Sequence, residues 1–214
     1  MRGNGEIDEK RYCFVNQLID REWTVDDLSG VYVLSLTEDT DSLLMWHYLQ
    51  SSGECNLGFN AEKLFSTLNN NHIHHYRGKV IYEPLEQQLK AKEFLVIFTK
   101  WCNEANEYGL DMQFQVLRRV VSCFFKNPLF RDEREYRVAF PFVKIDQISF
   151  REHRNTIIPY LPIDIKGDCF PITHIRLGPR NASDIVQHGL KLYLQHHPTY
   201  RHICVNKSGL SLRH

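Results

Sequence analysis

Two hydrophobic periods alternate along this chain, and they predict a mixture of strands and helices. Apolar residues recur every three or four positions in two long stretches, one before and one after Gly109, which predicts two long helices. The same spacing returns after Ser183, a residue suited to cap a helix. Shorter helical patterns cover 7–20, 42–49 and 61–68. Strand-like runs lie at 31–36, 55–59, 76–82, 135–142, 172–177 and 203–205.

The order of these elements predicts the fold class. It follows neither strict strand–helix alternation nor a run of hairpins, which favours an α+β fold. We expect a single mixed or mainly antiparallel sheet packed by several helices, with 55–59 paired to 31–36. The length of 214 residues predicts one α/β domain over 1–214. An N-terminal helical segment, 1–30, would precede a core over 31–213.

Charge and composition narrow the class of protein. Lysine plus arginine equals aspartate plus glutamate, at 26 each, so the basic excess typical of non-specific duplex binding is absent, and no bulk nucleic-acid binding is expected. The apolar runs are shorter than a membrane helix needs, and the polar N-terminus does not resemble a signal peptide. Six scattered cysteines fit a reduced compartment. We therefore predict a cytoplasmic protein that does not engage membranes.

Glu133, Glu135 and Arg137 are the first candidates for chemistry. Residues two apart on a strand share a face, so all three are expected to lie together on the strand at 135–142. Two close carboxylates raise one another's pKa, which suits acid–base catalysis, and the arginine could hold a phosphate or lower the pKa of a carboxylate. The alternative is a solvated strand face on which arginines neutralise glutamates. Glu133 and Glu135 are the predicted catalytic residues, and Arg137 a predicted ligand-binding residue.

A second group combines hydroxyl and aromatic side chains. Ser35 shares a strand face with Thr37, and the following short helix carries Trp46, His47 and Tyr48. Aromatic walls with a few hydroxyls suit a base or a nicotinamide ring. The alternative assigns Trp46 to the core and His47 to the surface.

Three weaker signals do not predict a site. His72, His74 and His75 lack a nearby carboxylate or thiol at ligand spacing, so no metal is expected. Cys102 and Cys123 have apolar neighbours on helices, which favours core packing over nucleophilic catalysis. The loop 178–183 lacks the lysine and second glycine of a phosphate loop.

Three segments in order resemble a known family. They are VYVLSLTEDTDSLLMWHY with CNLGF (31–48 and 55–59), FRDEREYRV (130–138), and IRLGP (175–179) with the tail VNKSGLSLR. In this order they resemble the bacterial domain-of-unknown-function family DUF2971 over about residues 30–213. The family's N-terminal basic-aromatic motif is not found here, so the chain is expected to be truncated or shorter than its relatives. Ser52, Gly53 and Glu54 occupy the place of the family's His-x-Gly.

The resemblance leaves two functions open. A Glu-x-Glu strand after a serine-bearing strand is similar to ADP-ribosyltransferases, which would imply an enzyme using a nucleotide, with NAD the possible cofactor. Glu135 would then orient a ribose hydroxyl and stabilise an oxocarbenium-like transition state, with Glu133 assisting. Those enzymes also need a basic or histidine residue on an early strand, which is not found here. The alternative is a non-catalytic nucleotide- or protein-binding module in phage defence or stress response.

Overall fold

The computed structural model describes residues 30–48, 55–104, 110–165 and 170–210. The helix predicted at 7–20 lies outside them. The helices are α1 Leu43–Tyr48, α2 Ala61–Asn70, α3 Pro84–Glu104, α4 Leu110–Ser122 and α5 Asp184–His196. The strands are β1 Tyr32–Thr37, β2 Cys55–Phe59, β3 Tyr76–Lys79, β4 Glu135–Phe140, β5 Ser149–His153, β6 Thr156–Tyr160, β7 Ile172–Leu177 and β8 Cys204–Lys207. A 3-10 helix, Pro128–Glu133, precedes β4.

The strands form three separate sheets, so the α+β class is confirmed and the prediction of a single sheet is wrong. The first sheet has the order β1-β4-β3, with β3 and β4 antiparallel. The second has the order β2-β7-β8, antiparallel and then parallel. The predicted pairing of β2 with β1 is also wrong, because β2 pairs with β7, about 115 residues later in the chain.

The third sheet is the hairpin β5–β6, which the sequence patterns did not indicate. Its two-residue turn is Arg154–Asn155, and both residues have positive φ, 50° and 61°. Such turns match the twist of the flanking strands and usually contain glycine. Because neither residue of this turn is a glycine, the usual turn signal is missing from this stretch.

Local capping explains where two helices begin. Asn60 accepts a hydrogen bond from the Lys63 backbone N–H at 2.9 Å, and Ser183 accepts one from the Val186 N–H at 3.3 Å. Each side chain satisfies an N–H that the first helical turn leaves without a partner. The predicted role of Ser183 as a cap is therefore confirmed.

The chain divides into two compact units. The first comprises Met1–Leu36, His75–Arg131 and Glu135–Leu161, and the second comprises Thr37–His74, Asp132–Arg134 and Pro162–His214. In the first unit Phe98 and Phe114 are buried between α3 and α4, with Phe94 packed against them. In the second, Leu177, Leu194 and Val205 form the buried core between α5 and the strands β7 and β8. No helix among the described residues has the length and apolar character to cross a bilayer.

Candidate functional site

Glu135 and Arg137 lie on the same face of β4, as the sequence predicts. The Arg137 Nη2 donates to Glu135 Oε2 at 2.7 Å, and the Lys126 Nζ lies 3.1 Å from the same oxygen. The Ser35 hydroxyl, on the neighbouring strand β1, is also hydrogen-bonded to this carboxylate. We call Ser35, Lys126, Glu135 and Arg137 the Glu135 site.

Backbone contacts fix the positions of these side chains. The Tyr82 hydroxyl accepts a hydrogen bond from the Glu135 N–H at 3.1 Å. The Gln87 side-chain amide donates to the Ile81 and Lys126 carbonyls at 2.7 and 2.8 Å, which holds the start of α3 against the segment that carries Lys126. Arg137 also donates to the Cys123 carbonyl. The site is thus assembled from β1, β4, α3 and the segment after α4.

The Glu135 carboxylate is ionised at neutral pH. Burial by itself raises the pKa of this group. Hydrogen bonds from Arg137, Ser35 and Lys126, together with the Arg137 charge, outweigh burial and lower the pKa of Glu135 to about 2. The sequence argument expected a neighbouring carboxylate to raise this pKa, and the cations do the opposite. A general base that works near neutral pH needs a pKa close to 7, so this glutamate is poorly matched to proton transfer.

The Glu135 site brings charged groups together in a largely buried place. Two cations, Lys126 and Arg137, surround one anion, and all three side chains are at least three-quarters buried. The Lys126 Nζ also lies 4.9 Å from the centroid of the Phe130 ring, within the range of a cation–π contact. Lys126 is the most exposed of the three charged groups, at 23%. An anion that reached the site would therefore meet Lys126 first.

Glu133 does not lie on β4, so the prediction that it shares a strand face with Glu135 and Arg137 is wrong. It is the last residue of the 3-10 helix, and the strand begins only at Glu135. Between them Arg134 has a φ of 46°, a left-handed conformation that breaks strand alternation. The Thr37 hydroxyl donates to the Glu133 carbonyl at 2.8 Å. Glu133 and Glu135 belong to different compact units.

Trp46, His47 and Tyr48 lie on α1, in the second unit, whereas Ser35 lies in the first. Trp46 is buried, and its indole N–H donates to Asp41 at 2.8 Å. His47 and Tyr48 are exposed. The alternative interpretation of Trp46, as a core residue, therefore fits its position. Of the predicted ligand-binding residues, Ser35 and Arg137 contact Glu135.

Sequence analysis missed a second polar cluster, around Asp41. One carboxylate oxygen accepts from Trp46 and from the Ser208 hydroxyl, the latter at 2.7 Å. The other accepts from the Gly209 N–H at 2.8 Å and lies 3.2 Å from the Arg176 Nη1. Burial favours the neutral acid, but these bonds and the Arg176 charge outweigh it and lower the pKa of Asp41. The cap of α1 is the neighbouring Ser42, whose hydroxyl accepts a hydrogen bond from the Met45 N–H.

The thiol of Cys123 fits the packing interpretation. Burial raises the pKa of this thiol, and the nearby Arg137 charge offsets the effect only in part. A raised pKa leaves less thiolate at neutral pH, and the thiolate is the nucleophilic form. The side chain of Cys102 lies outside the described residues.

The described ranges contain no group of three histidine, cysteine, aspartate or glutamate side chains able to hold a metal ion.

In the loop after β7, the Asn181 N–H donates to the Gly178 carbonyl and Ser183 caps α5. Asp184 stands in the first turn of that helix and pairs with Lys207 at 2.6 Å, so a carboxylate already occupies this helix end.

Comparison with known proteins finds a similarity to one family over part of the chain. The profile of DUF2971, described as a protein of unknown function, matches residues 45–138. Comparisons with curated proteins and with solved structures found no match. The matched stretch runs from α1 into β4 and includes Trp46, Lys126, Glu135 and Arg137. Residues 45–138 of this chain are therefore similar to the DUF2971 family, whose function is unknown.

Proposed function

We propose that the Glu135 site binds a small phosphate-bearing molecule of the nucleotide class, and that Glu135 serves there as a fixed anion rather than a proton carrier. The observation that carries this proposal is the arrangement of two cations around one ionised carboxylate. The charges of Lys126 and Arg137 are only partly screened by solvent, because these side chains are largely buried. Phosphate oxygens are strong acceptors for arginine and lysine donors.

The accessible groups suit such a ligand. Ser35 is exposed, and because its hydroxyl hydrogen is donated to Glu135, its oxygen is left to accept a hydrogen bond from a ligand hydroxyl, while Lys126 offers a positive charge at the same carboxylate. The ring of Phe130, 40% exposed, lies next to Lys126 and could contact a base. Arg137, at 16% exposure, contributes its charge from behind these groups.

An NAD-dependent transferase is the second candidate. It is favoured by one feature, the hydrogen bond between Ser35 on β1 and an ionised glutamate on the adjacent strand β4. Stabilising an oxocarbenium-like transition state needs a negative charge and no proton transfer, so a low pKa is compatible with it. The displacement of Glu133 from the strand removes the second carboxylate that this mechanism was expected to use. A role in phage defence or stress response would suit either candidate.

The experiment compares ligand-induced thermal shifts for AMP, ATP, NAD and inorganic phosphate. The variant is Lys126→Gln, and the matched control is Lys92→Gln, which removes an exposed lysine from α3. Each variant is compared with its own unliganded state, so that a change in stability does not count as a change in binding. The proposal is supported if a compound raises the melting temperature of wild type and of Lys92→Gln, and if the same compound raises that of Lys126→Gln at least several-fold less.

Nicotinamide release from NAD separates the two candidates. Turnover that is lost in Glu135→Gln, with folding and NAD binding retained, would favour the transferase over a non-catalytic module. Binding without turnover favours the module. If none of the four compounds shifts the melting temperature and no nicotinamide is released, both assignments of the Glu135 site are wrong.

A further inference from the structure

The hairpin β5–β6 is a sheet of two strands, and no other strand in the described part of the chain pairs with either of them. Such a sheet has two outer edges, and each edge presents N–H and C=O groups that have no partner within the sheet. An isolated hairpin is only marginally stable in water and becomes more stable when further strands are added. The hairpin therefore offers its edges to another strand.

The register of the hairpin determines which backbone groups of β5 point outward. The turn 154–155 has two residues, so the pair that closes it, His153 and Thr156, is hydrogen-bonded. Bonded and non-bonded pairs then alternate along an antiparallel ladder. Phe150 and Glu152 consequently lie in non-bonded pairs, and their N–H and C=O groups point away from β6. These groups form the outer edge of β5.

Pro159 agrees with this assignment and distinguishes the two edges. It stands opposite Phe150, and because proline has no N–H, this pair cannot exchange both backbone hydrogen bonds. On the outer edge of β6, Pro159 removes a donor, which is one way in which natural sheets protect an edge from pairing. The strand β5 contains no proline. The outer edge of β5 is therefore the one that is open to another strand.

One face of the hairpin is apolar and exposed. Phe150 and Ile157 are 63% and 72% exposed, and Pro159, on the same face, is exposed as well. The opposite face carries Arg151, whose guanidinium carbon lies 5.8 Å from the centroid of the Tyr160 ring. A strand added beside β5 would extend the apolar face and cover part of the Phe150 ring through cross-strand contacts.

We infer that the outer edge of β5 pairs with the same edge of a second copy of this chain. The two strands would run antiparallel about a two-fold axis and make a four-stranded sheet in the order β6-β5-β5-β6. Acidic and basic residues are equal in number, so no net charge holds two copies apart. Because Pro159 protects the other edge of each hairpin, the assembly closes as a dimer. The residues of this edge are separate from those of the Glu135 site, and neither proposal depends on the other.

The charges on β5 select the register of this pairing. If Phe150 faced Glu152, Arg151 would face its own copy, and a second register places Glu152 opposite itself. Like charges directly opposite one another are destabilising. The register centred on Phe150 avoids both contacts and places Arg151 opposite Ser149. It also places Glu152 opposite Ile148, whose φ of −89° and ψ of 133° are those of an extended strand. We therefore expect Phe150 to lie at the two-fold axis, facing Phe150 of the partner subunit.

The test is the mass of the full-length protein in solution, measured by sedimentation equilibrium over a range of concentrations. Phe150→Lys places two like charges opposite one another at the axis, and Glu152→Pro removes an outward N–H without removing a bond to β6. We expect each to raise the dissociation constant of the dimer at least about tenfold. The control is Ile157→Lys, which makes the same change on the same face, but on β6 and away from the axis. Circular dichroism checks that every variant is folded.

A mixture of Phe150→Lys with Phe150→Glu tests the register. Each variant alone should be monomeric, because its substituted side chain faces the same charge on the second copy. The mixture should form a dimer again, because opposite charges then face one another across the axis.

A dimer of wild type and of Ile157→Lys, with weaker dimers of Phe150→Lys and Glu152→Pro, supports the inference. Wild type that stays monomeric at every concentration overturns it and leaves the edge to an extended segment of another protein. Equal dissociation by Ile157→Lys and Phe150→Lys, with no effect of Glu152→Pro, would mean that two copies meet through the apolar face. That result overturns the inference, and so does a mixture of the two Phe150 variants that remains monomeric.

Discussion

Glu135 and Glu93 are both paired with cations, yet they differ in burial. The Glu135 side chain is 10% exposed and lies beside two cations, whereas Glu93 is 59% exposed and pairs with Lys90 alone. Breaking a buried pair leaves a charge without compensation, while breaking an exposed pair releases it to water. The two glutamates therefore provide a matched comparison for the Glu135 site.

We predict that Glu135→Gln lowers the free energy of unfolding by about 2–3 kcal/mol, because Lys126 and Arg137 then lose the carboxylate that both contact in a largely buried site. Glu93→Gln should lower it by no more than about 0.5 kcal/mol. Urea denaturation at neutral pH and moderate salt measures both. Equal effects from the two substitutions would show that the Glu135 site contributes nothing beyond a surface ion pair.

Asp41 is the second residue whose removal should be costly. Asp41→Ala deletes the acceptor for Trp46, Ser208, Gly209 and Arg176 together, and leaves the buried indole N–H without its bond. We expect a loss of about 2–3 kcal/mol in unfolding free energy and faster proteolysis near Ser208. Limited proteolysis followed by mass spectrometry locates the cleavage. Unchanged cleavage near Ser208 would contradict a role for Asp41 in holding this segment.

The sequence patterns predicted part of the Glu135 site but did not predict the polar cluster around Asp41. The two-residue spacing of Glu135 and Arg137 was sufficient to place them on one face. The left-handed Arg134, which removes Glu133 from the strand, has no signal in the sequence, since arginine rarely adopts that conformation. Asp41 meets Ser208 and Gly209 across 167 and 168 residues, and no local pattern reports contacts at that separation.

Among the elements, the contact between β2 and β7 depends on a glycine. A Cβ built on Gly58 would lie 1.9 Å from the His174 ring, which is in register with it across the strands. The Nδ1 of His174 lies 3.1 Å from the Thr173 hydroxyl, which helps hold the ring in place. Gly58 is therefore required for close packing in the second sheet rather than for a turn.

We predict that Gly58→Ala lowers the free energy of unfolding by about 2 kcal/mol through overpacking against His174. His174→Ala should relieve much of that loss in the double variant, which a double-mutant cycle measures as a coupling energy. Gly189→Ala is the control: it lies within α5 with open space around it, and should stabilise by about 0.5–1 kcal/mol. Additive effects of the Gly58 and His174 substitutions would exclude a direct clash.

Elements with local signals were predicted well, and long-range pairings were not. The spacing of apolar residues and the capping residues located α2, α3, α4 and α5. Pairing of β2 with β7 rather than β1 depends on contacts between distant segments, which periodicity does not encode. The hairpin β5–β6 has exposed side chains on both faces, so it lacks the apolar alternation by which a half-buried strand is recognised.

At the scale of the whole molecule, the two compact units are interleaved along the chain, each built from three separate stretches. The DUF2971 match, residues 45–138, covers parts of both. It includes β2 but not β7, the strand to which β2 is hydrogen-bonded. It also includes β4 up to Val138 but not β1, which is the neighbour of β4 in the first sheet. The matched stretch therefore marks the family without enclosing either sheet.

We predict that a fragment of residues 45–138 does not fold cooperatively, because both sheets lose partner strands that lie outside it. The full chain is the control. Circular dichroism and urea denaturation of both proteins measure this, and we expect a sharp transition only for the full chain. A fragment with a cooperative transition would show that sequences outside the match are dispensable for folding.

The free energy of unfolding of the whole molecule should fall in acid, because the carboxylates of Glu135 and Asp41 have lowered pKa values in the folded protein. Glu135 has a pKa of about 2 in the folded protein, against an ordinary value of 4.5, and the pKa of Asp41 is lowered as well. The folded state therefore binds fewer protons than the unfolded state between about pH 5 and pH 2. Stability is fully present above this range and is lost as pH falls through it.

The Glu135→Gln variant tests whether Glu135 carries part of this dependence. At pH 7 wild type should be the more stable protein. The difference should narrow as pH falls towards 3, because the unfolded wild-type chain gains a proton that the variant cannot bind. Urea denaturation at pH 7, 5, 4 and 3 measures the difference directly, with Glu93→Gln as the control for general acid effects. A difference that stays constant across this range would mean that the carboxylate is not held ionised by Arg137 and Lys126 in the folded protein.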